Sequence, residues 1–221
     1  MKKLFVILSV ITLFLTGCSV ANLNKKSIDE VIDLVLLKKS KLKNSNFDGY
    51  SYYIPRELYF INKNDYNAIL KDTHNNYYYL YVDAVSYHHK VKETYEVDDK
   101  AYYSRKLKKK NNFGYFEINK DKDGYFIEAM YNYVKIESYV NEEDLNDAVT
   151  NISMVLSSVK YNDKVLDTLI GENILNYKEE VYNIFDTKKN TSDFLDYIEE
   201  YENAKEDKNT DEDSIKINEG E

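Results

Sequence analysis

The chain carries one cysteine, one proline, no tryptophan, six glycines and three histidines in 221 residues, and each scarcity excludes something. A lone cysteine forms no intrachain disulfide, so stability has to come from packing rather than covalent staples. Six glycines leave little material for a phosphate-cradling loop, and no GxSxG turn occurs. His74, His88 and His89 are the whole histidine supply, and no HExxH pattern joins them. His88 and His89 fall as neighbours in an expected strand and so point to opposite faces, which argues against a shared zinc site; no metal or other cofactor is expected. The net charge of −9 excludes nucleic acid as a favoured partner, because its phosphates repel an acidic chain on average.

The lone cysteine has a telling address. Lys2 and Lys3 form a basic start, residues 4–15 an apolar run broken only by Ser9 and Thr12, and Leu15-Thr16-Gly17-Cys18 closes it. The run is too short to span a bilayer, which takes about 20 apolar residues, and it reads as a secretory signal with Gly17 as the small residue before cleavage. This segment resembles the lipobox of bacterial lipoproteins. The resemblance implies cleavage between Gly17 and Cys18, a diacylglyceryl thioether on the Cys18 sulfur, and residence on the extracytoplasmic face of the cell membrane. The expected organisation is a signal helix over 1–17, a lipidated tether over 18–26, one α+β domain over 27–204 and a disordered acidic tail over 205–221.

What the chain has in abundance is tyrosine, 23 residues of it beside 9 Phe. Lys, Asn, Ile and Tyr are plentiful where Arg, Pro, Gly and Trp are scarce, the bias that an AT-rich genome imposes. Tyr77-Tyr78-Tyr79-Leu80-Tyr81-Val82 alternates, so Tyr77, Tyr79 and Tyr81 share one side of a strand. That side is either buried under a helix or a platform for sugar rings or a partner protein.

Ser27-Ile28-Asp29-Glu30 reads as a capping box, opening a helix to about residue 39 with an apolar stripe from Ile28 to Leu37 and lysines at its end. Residues 50–140 give strand signals at 50–54, 58–61, 67–71, 77–89, 101–107, 113–119, 125–131 and 134–140, with short turns between. Helical spacing returns from Asn141, expected to cap, to Val159, then at 165–170 before Gly171 and at 191–204; 181–185 is ambiguous. The expected fold is an antiparallel meander sheet with helices packed on it. The string Phe47-Asp48-Gly49-Tyr50-Ser51-Tyr52-Tyr53-Ile54-Pro55 resembles the opening strand of the Mog1/PsbP-like sandwich, which implies a scaffold for protein contacts.

Four patterns carry chemistry. Asn119 to Gly124 matches the first half of a calcium loop, but the twelfth position is Met130 where a bidentate Glu belongs, so a turn is expected. Asp207, Asn209, Asp211 and Asp213 alternate oxygens without a turn glycine. Ser157-Ser158-Val159-Lys160 fits S-x-x-K at an expected helix end, without SDN or KTG partners. Arg105, Lys106, Lys108, Lys109 and Lys110 form the one dense basic cluster, either a solvated hairpin tip or a contact for anionic lipid or wall polymer.

The expected function is a membrane-anchored, non-catalytic binding or assembly module, tied to lipid through Cys18 and meeting an envelope protein or wall polymer. A second reading is a cell-envelope hydrolase with paired carboxylates, for which Glu117, Glu128 and Glu137 on successive strands are the candidates. A third is ligand capture for a transporter.

Overall fold

The computed structural model describes residues 26–64, 67–92 and 94–170, together with 23 and 187. The expected signal segment, the expected elements at 181–185 and 191–204 and the expected acidic tail lie outside the described residues.

The capping box forms as the spacing predicts. Ser27 Oγ accepts from the Glu30 amide at 3.3 Å, and Glu30 Oε2 accepts from the Ser27 amide at 3.0 Å. Helix α1 (Ile28–Val31) then widens into a π-helical stretch (Ile32–Leu36) closed by the Leu37 amide bonding Ile32 O at 2.8 Å. The helix ends earlier than the stripe implied, and Leu34 faces outward while Val31, Ile32 and Leu36 are buried.

Strands β1 (Ser45–Asn46) and β2 (Tyr50–Tyr52) make a hairpin around Gly49, whose φ of +88° suits glycine. With β10 (Lys160–Tyr161) they form a separate three-stranded sheet, so residues 50–54 are not part of the main sheet as expected.

The main sheet has seven antiparallel strands: β3 (Leu58–Asn64), β4 (Asn67–Asp72), β5 (Tyr77–Val82), β6 (Tyr103–Lys109), β7 (Asn112–Lys120), β8 (Tyr125–Tyr131) and β9 (Val134–Val140). Its order is β3-β4-β5-β9-β8-β7-β6, two meanders joined where β5 pairs with β9, rather than one continuous meander. The break arises because 77–89 is not a single strand. After Val82, Asp83 Oδ1 accepts from the Ser86 amide at 2.7 Å and caps helix α2 (Ala84–His89), which ends at Lys90 in the left-handed region. The chain then crosses to the far edge before pairing resumes.

A 3₁₀ turn (Glu142–Asp144) leads into α3 (Leu145–Ser158), and Asn141 supplies no side-chain cap, contrary to expectation. The acids of that turn still sit at the positive end of the helix. Ala148, Val149, Ile152, Val155 and Leu156 of α3 are fully buried with α1 against Leu80, Phe116, Ile118, Ile127, Val134 and Ile136 of the sheet. Burying each such aliphatic side chain contributes about 1.5–3 kcal/mol, which makes this layer the main source of stability. Helix α4 (Asp163–Ile170) seats Leu166 over Gly49, where an added Cβ would lie 2.4 Å from Leu166 Cδ2.

Candidate functional site

Strand register brings the three candidate glutamates together. Glu117 of β7 lies directly opposite Glu128 of β8, and Glu128 directly opposite Glu137 of β9, so the three form a row across the sheet. The row is on the face away from α3, and it is buried: Glu117 is 2% exposed, and Glu128 and Glu137 are 0% exposed. Three carboxylates side by side repel one another in a medium that desolvates them. Lys135, two residues before Glu137 on β9 and also 0% exposed, enters the row: its Nζ stands 2.7 Å from Glu128 Oε1 and 3.0 Å from Glu137 Oε1.

Glu117 is held by other means. Tyr95, from the segment before β6, donates its hydroxyl to Glu117 Oε2 and meets Ser104 Oγ at 2.7 Å, while Asn119 Nδ2 donates to Glu117 Oε1 at 3.0 Å. The Tyr95 ring stacks on Tyr115 at 4.6 Å between centroids. Burial, and then the hydrogen bond to Glu117, push the Tyr95 hydroxyl above its ordinary value. Burial first, then the Glu128, Glu137 and Glu117 carboxylates, do the same to Tyr115. Both phenols therefore stay neutral through the physiological range, which keeps Tyr95 a hydrogen-bond donor to Glu117.

A substrate site needs access, and the row has little. Tyr95, Lys106, Lys108, Phe113, Tyr115 and Met130 line a neighbouring cavity of about 40 Å³. Ligand pockets run to about 300–1,000 Å³, so this one is the size of a water molecule rather than of a sugar ring. Among the described residues the carboxylates converge without a cleft.

The tyrosine strand divides as the alternation requires. Tyr78, Leu80 and Val82 face α3, and Tyr77, Tyr79 and Tyr81 share the glutamates' face. Tyr79 is buried beside Ile69 and Phe126, 4.1 Å from the Tyr81 ring, and not beneath α3. Tyr77 and Tyr81 are half-buried.

The basic cluster splits by the same period of two. Arg105 turns to α1, where Nη1 meets Asp29 Oδ1 at 2.9 Å and Nη2 meets Asp33 Oδ1 at 2.7 Å; Lys109 Nζ donates to the Leu37 carbonyl at the end of the π-helical stretch. Leu107 between them is core. Lys106 and Lys108 point to the opposite face, and Lys110 sits in the turn.

The remaining motifs resolve into local structure. Asn119 serves Glu117, and the Asp121 amide bonds Gly124 O at 2.9 Å in a hairpin turn. Ser157 Oγ donates to Met154 O, and Lys160 Nζ reaches Lys41 O at 3.1 Å, so the S-x-x-K pattern marks a helix end. His88 and His89 lie on α2 rather than a strand, with rings edge to face at 4.9 Å, and His88 approaches Asp167 at 3.3 Å. No cluster of three metal-ligating side chains occurs among the described residues.

Sequence reasoning named the glutamates but missed Lys135 and Tyr95. A lysine at i and a glutamate at i+2 of a strand facing a third acid was the available signal. It also missed a second network: Asp72 Oδ2 accepts from Tyr78 OH at 2.8 Å, Asn76 bridges Asp72 and Asp144, and His74 Nδ1 stands 2.6 Å from Asp144 Oδ1. This network fastens the β4–β5 turn to the start of α3.

Comparison with known proteins adds no relative: no family model matches the chain, and no curated protein or solved structure is significantly similar to it. Residues 15–18 and the α+β body are the grounds for function.

Proposed function

We propose that this protein is an extracytoplasmic lipoprotein, cleaved before Cys18, held in the membrane by acyl chains on that residue, and acting there as a binding or assembly module without catalysis of its own. The observation that carries this reading is the ordered series of Lys2 and Lys3, the apolar run 4–15 and Leu15-Thr16-Gly17-Cys18. The capping box at Ser27 supports it, because the folded body then begins a short tether after the lipid. No helix among the described residues is long and apolar enough to cross a membrane, and a lipid would supply the attachment. Residues 205–221, almost without apolar side chains, are read as a solvated acidic tail. The Mog1/PsbP-like string at 47–55 adds an expectation of protein contacts.

The carboxylate row favours a structural role over hydrolysis. Glu128 and Glu137 share one lysine and Glu117 a tyrosine, and the pocket beside them is water-sized. A general acid and base flanking a glycosidic bond need a channel wide enough for the sugar. Cross-linking on intact membranes, followed by capture of the wild-type chain and of Cys18→Ala, tests the binding reading. A partner captured only with the wild type is expected; reproducible turnover of a wall polymer by the purified protein, lost in Glu128→Gln, would overturn it.

A further inference from the structure

The chain is acidic overall, yet its lysines are unevenly placed. Residues 34–47 and 100–116 contain no Asp or Glu, and both carry several lysines: Lys38, Lys39, Lys41 and Lys43 in the first, Lys106 and Lys108 to Lys110 in the second. The fold brings the two runs to one end of the molecule. Lys109 Nζ donates to the Leu37 carbonyl, which places the β6–β7 turn against the start of the first run. The Ser40 amide bonds Ser157 O at 3.3 Å, and Lys160 Nζ bonds Lys41 O at 3.1 Å, which pins that run across the end of α3 and adds a further ammonium.

These lysines differ from Arg105 in one respect. Arg105 is matched by Asp29 and Asp33. Lys38, Lys39, Lys41, Lys43 and Lys110 are all exposed, and among the described residues none pairs with a carboxylate, while Lys106 and Lys108 lie on the opposite face of the sheet and take no part. Concentrating unmatched cations at one end costs self-repulsion that an external anion relieves. Leu42, 58% exposed, stands in sequence between Lys41 and Lys43 as an apolar side chain left uncovered among the described residues.

We infer that this composite lysine face is a docking surface for an anionic lipid bilayer, with the ammonium groups at the headgroup phosphates and Leu42 entering the interface. An apolar side chain flanked in sequence by lysines suits a bilayer better than a soluble polyanion, which offers charge but no apolar layer. The inference rests on the anchored reading for its place at the membrane, while the affinity itself needs no acyl chain. A tether over 19–26 spans at most about 3.3–3.6 Å per residue, which keeps the body near the surface to which Cys18 is fixed. Docking would orient the body and add a second, electrostatic attachment to the lipid.

Vesicle binding of the full chain tests this, comparing the wild type with Lys39→Glu/Lys41→Glu/Lys110→Glu on phosphatidylcholine vesicles with and without phosphatidylglycerol. Each lysine near an anionic bilayer is worth about fivefold in affinity, so the triple variant should bind the phosphatidylglycerol vesicles at least about a hundredfold more weakly. The wild-type affinity should fall steeply with salt, and Lys39→Arg/Lys41→Arg/Lys110→Arg should keep it. Leu42→Ser should lose several-fold on the same vesicles. Equal binding of the wild type and the charge-reversed variant, with both melting alike, overturns the inference. So does displacement of the wild type from vesicles by soluble wall teichoic acid at matched phosphate, which would make the face a polymer site. The same ratio measured in a Cys18→Ala background separates the two claims: a ratio kept there, beside a wild-type chain from cells that carries no acyl group, removes the anchor and leaves the face.

Discussion

On the α3 side, strands β7, β8 and β9 present Phe116, Ile118, Ile127, Ala129, Val134 and Ile136; on the other side the same strands present Tyr115, Glu117, Glu128, Met130, Lys135 and Glu137. Both sets are buried. The first face is held by area removed from water, which is non-directional and tolerant of small shifts. The second is held by ion pairs and hydrogen bonds between groups that are costly to leave alone, so its geometry is far less forgiving. An antiparallel sheet with one packed and one solvated face is the usual arrangement, and this one departs from it by putting paired charges where water would be.

The largest effect should come from the charged face. Lys135→Met leaves Glu128 and Glu137 side by side without their ammonium and should cost about 3–5 kcal/mol in urea unfolding. Adding Glu128→Gln and Glu137→Gln to it should recover much of that loss, since the penalty lies in unpaired charge rather than lost area. If Lys135→Met were as stable as the wild type, the contrast between the faces would fail. On the α3 side, Ile152→Ala should cost about 2–4 kcal/mol as a cavity, with no rescue from removing charges elsewhere.

Between the faces, Gly114→Ala tests the backbone itself: an added Cβ would lie 1.9 Å from Met130 O, so the β7–β8 ladder must shift. The expected loss is about 1–3 kcal/mol by chemical denaturation. A silent substitution would show that the strands there are looser than their register implies.

The smallest effect concerns the turn that ties the sheet to α3. The hydrogen bond and charge of Asp144 raise the His74 pKa above its ordinary value, so protonated His74 favours the folded state. That contribution is complete below about pH 6.5 and disappears as pH rises through the raised value. The melting temperature of the wild type should therefore exceed that of His74→Gln near pH 5.5, and the two should converge near pH 9. A gap that widened with pH would reverse the sign and contradict the pairing.

Much of the α3 face was legible in the sequence. Alternating Val, Ile and Phe in strands and helical spacing from Leu145 to Val159 identify which residues meet, because the periods of two and 3.6 follow from backbone geometry. The strand order was not legible, since nothing local says that β5 pairs with β9, and Ala84 to His89 satisfies helix and strand patterns alike. For the site, alternation placed Glu117, Glu128 and Glu137 on successive strands but could not say that they stand in register or that Lys135 joins them. Charged residues read as solvated until their partners are known, and those partners lie across strands rather than along the chain. The basic cluster failed in the opposite way: adjacent in sequence, its members serve two faces.

The most direct test of the proposed function is the intact mass of the protein extracted from membranes of cells that make it. The expected mass is that of a chain beginning at Cys18, heavier than the bare polypeptide by a diacylglyceryl group and any amino-terminal acyl chain, with the protein lost from the membrane fraction in Cys18→Ala. An unmodified chain that retains residues 1–17, or an unacylated one recovered in the soluble fraction, would contradict it.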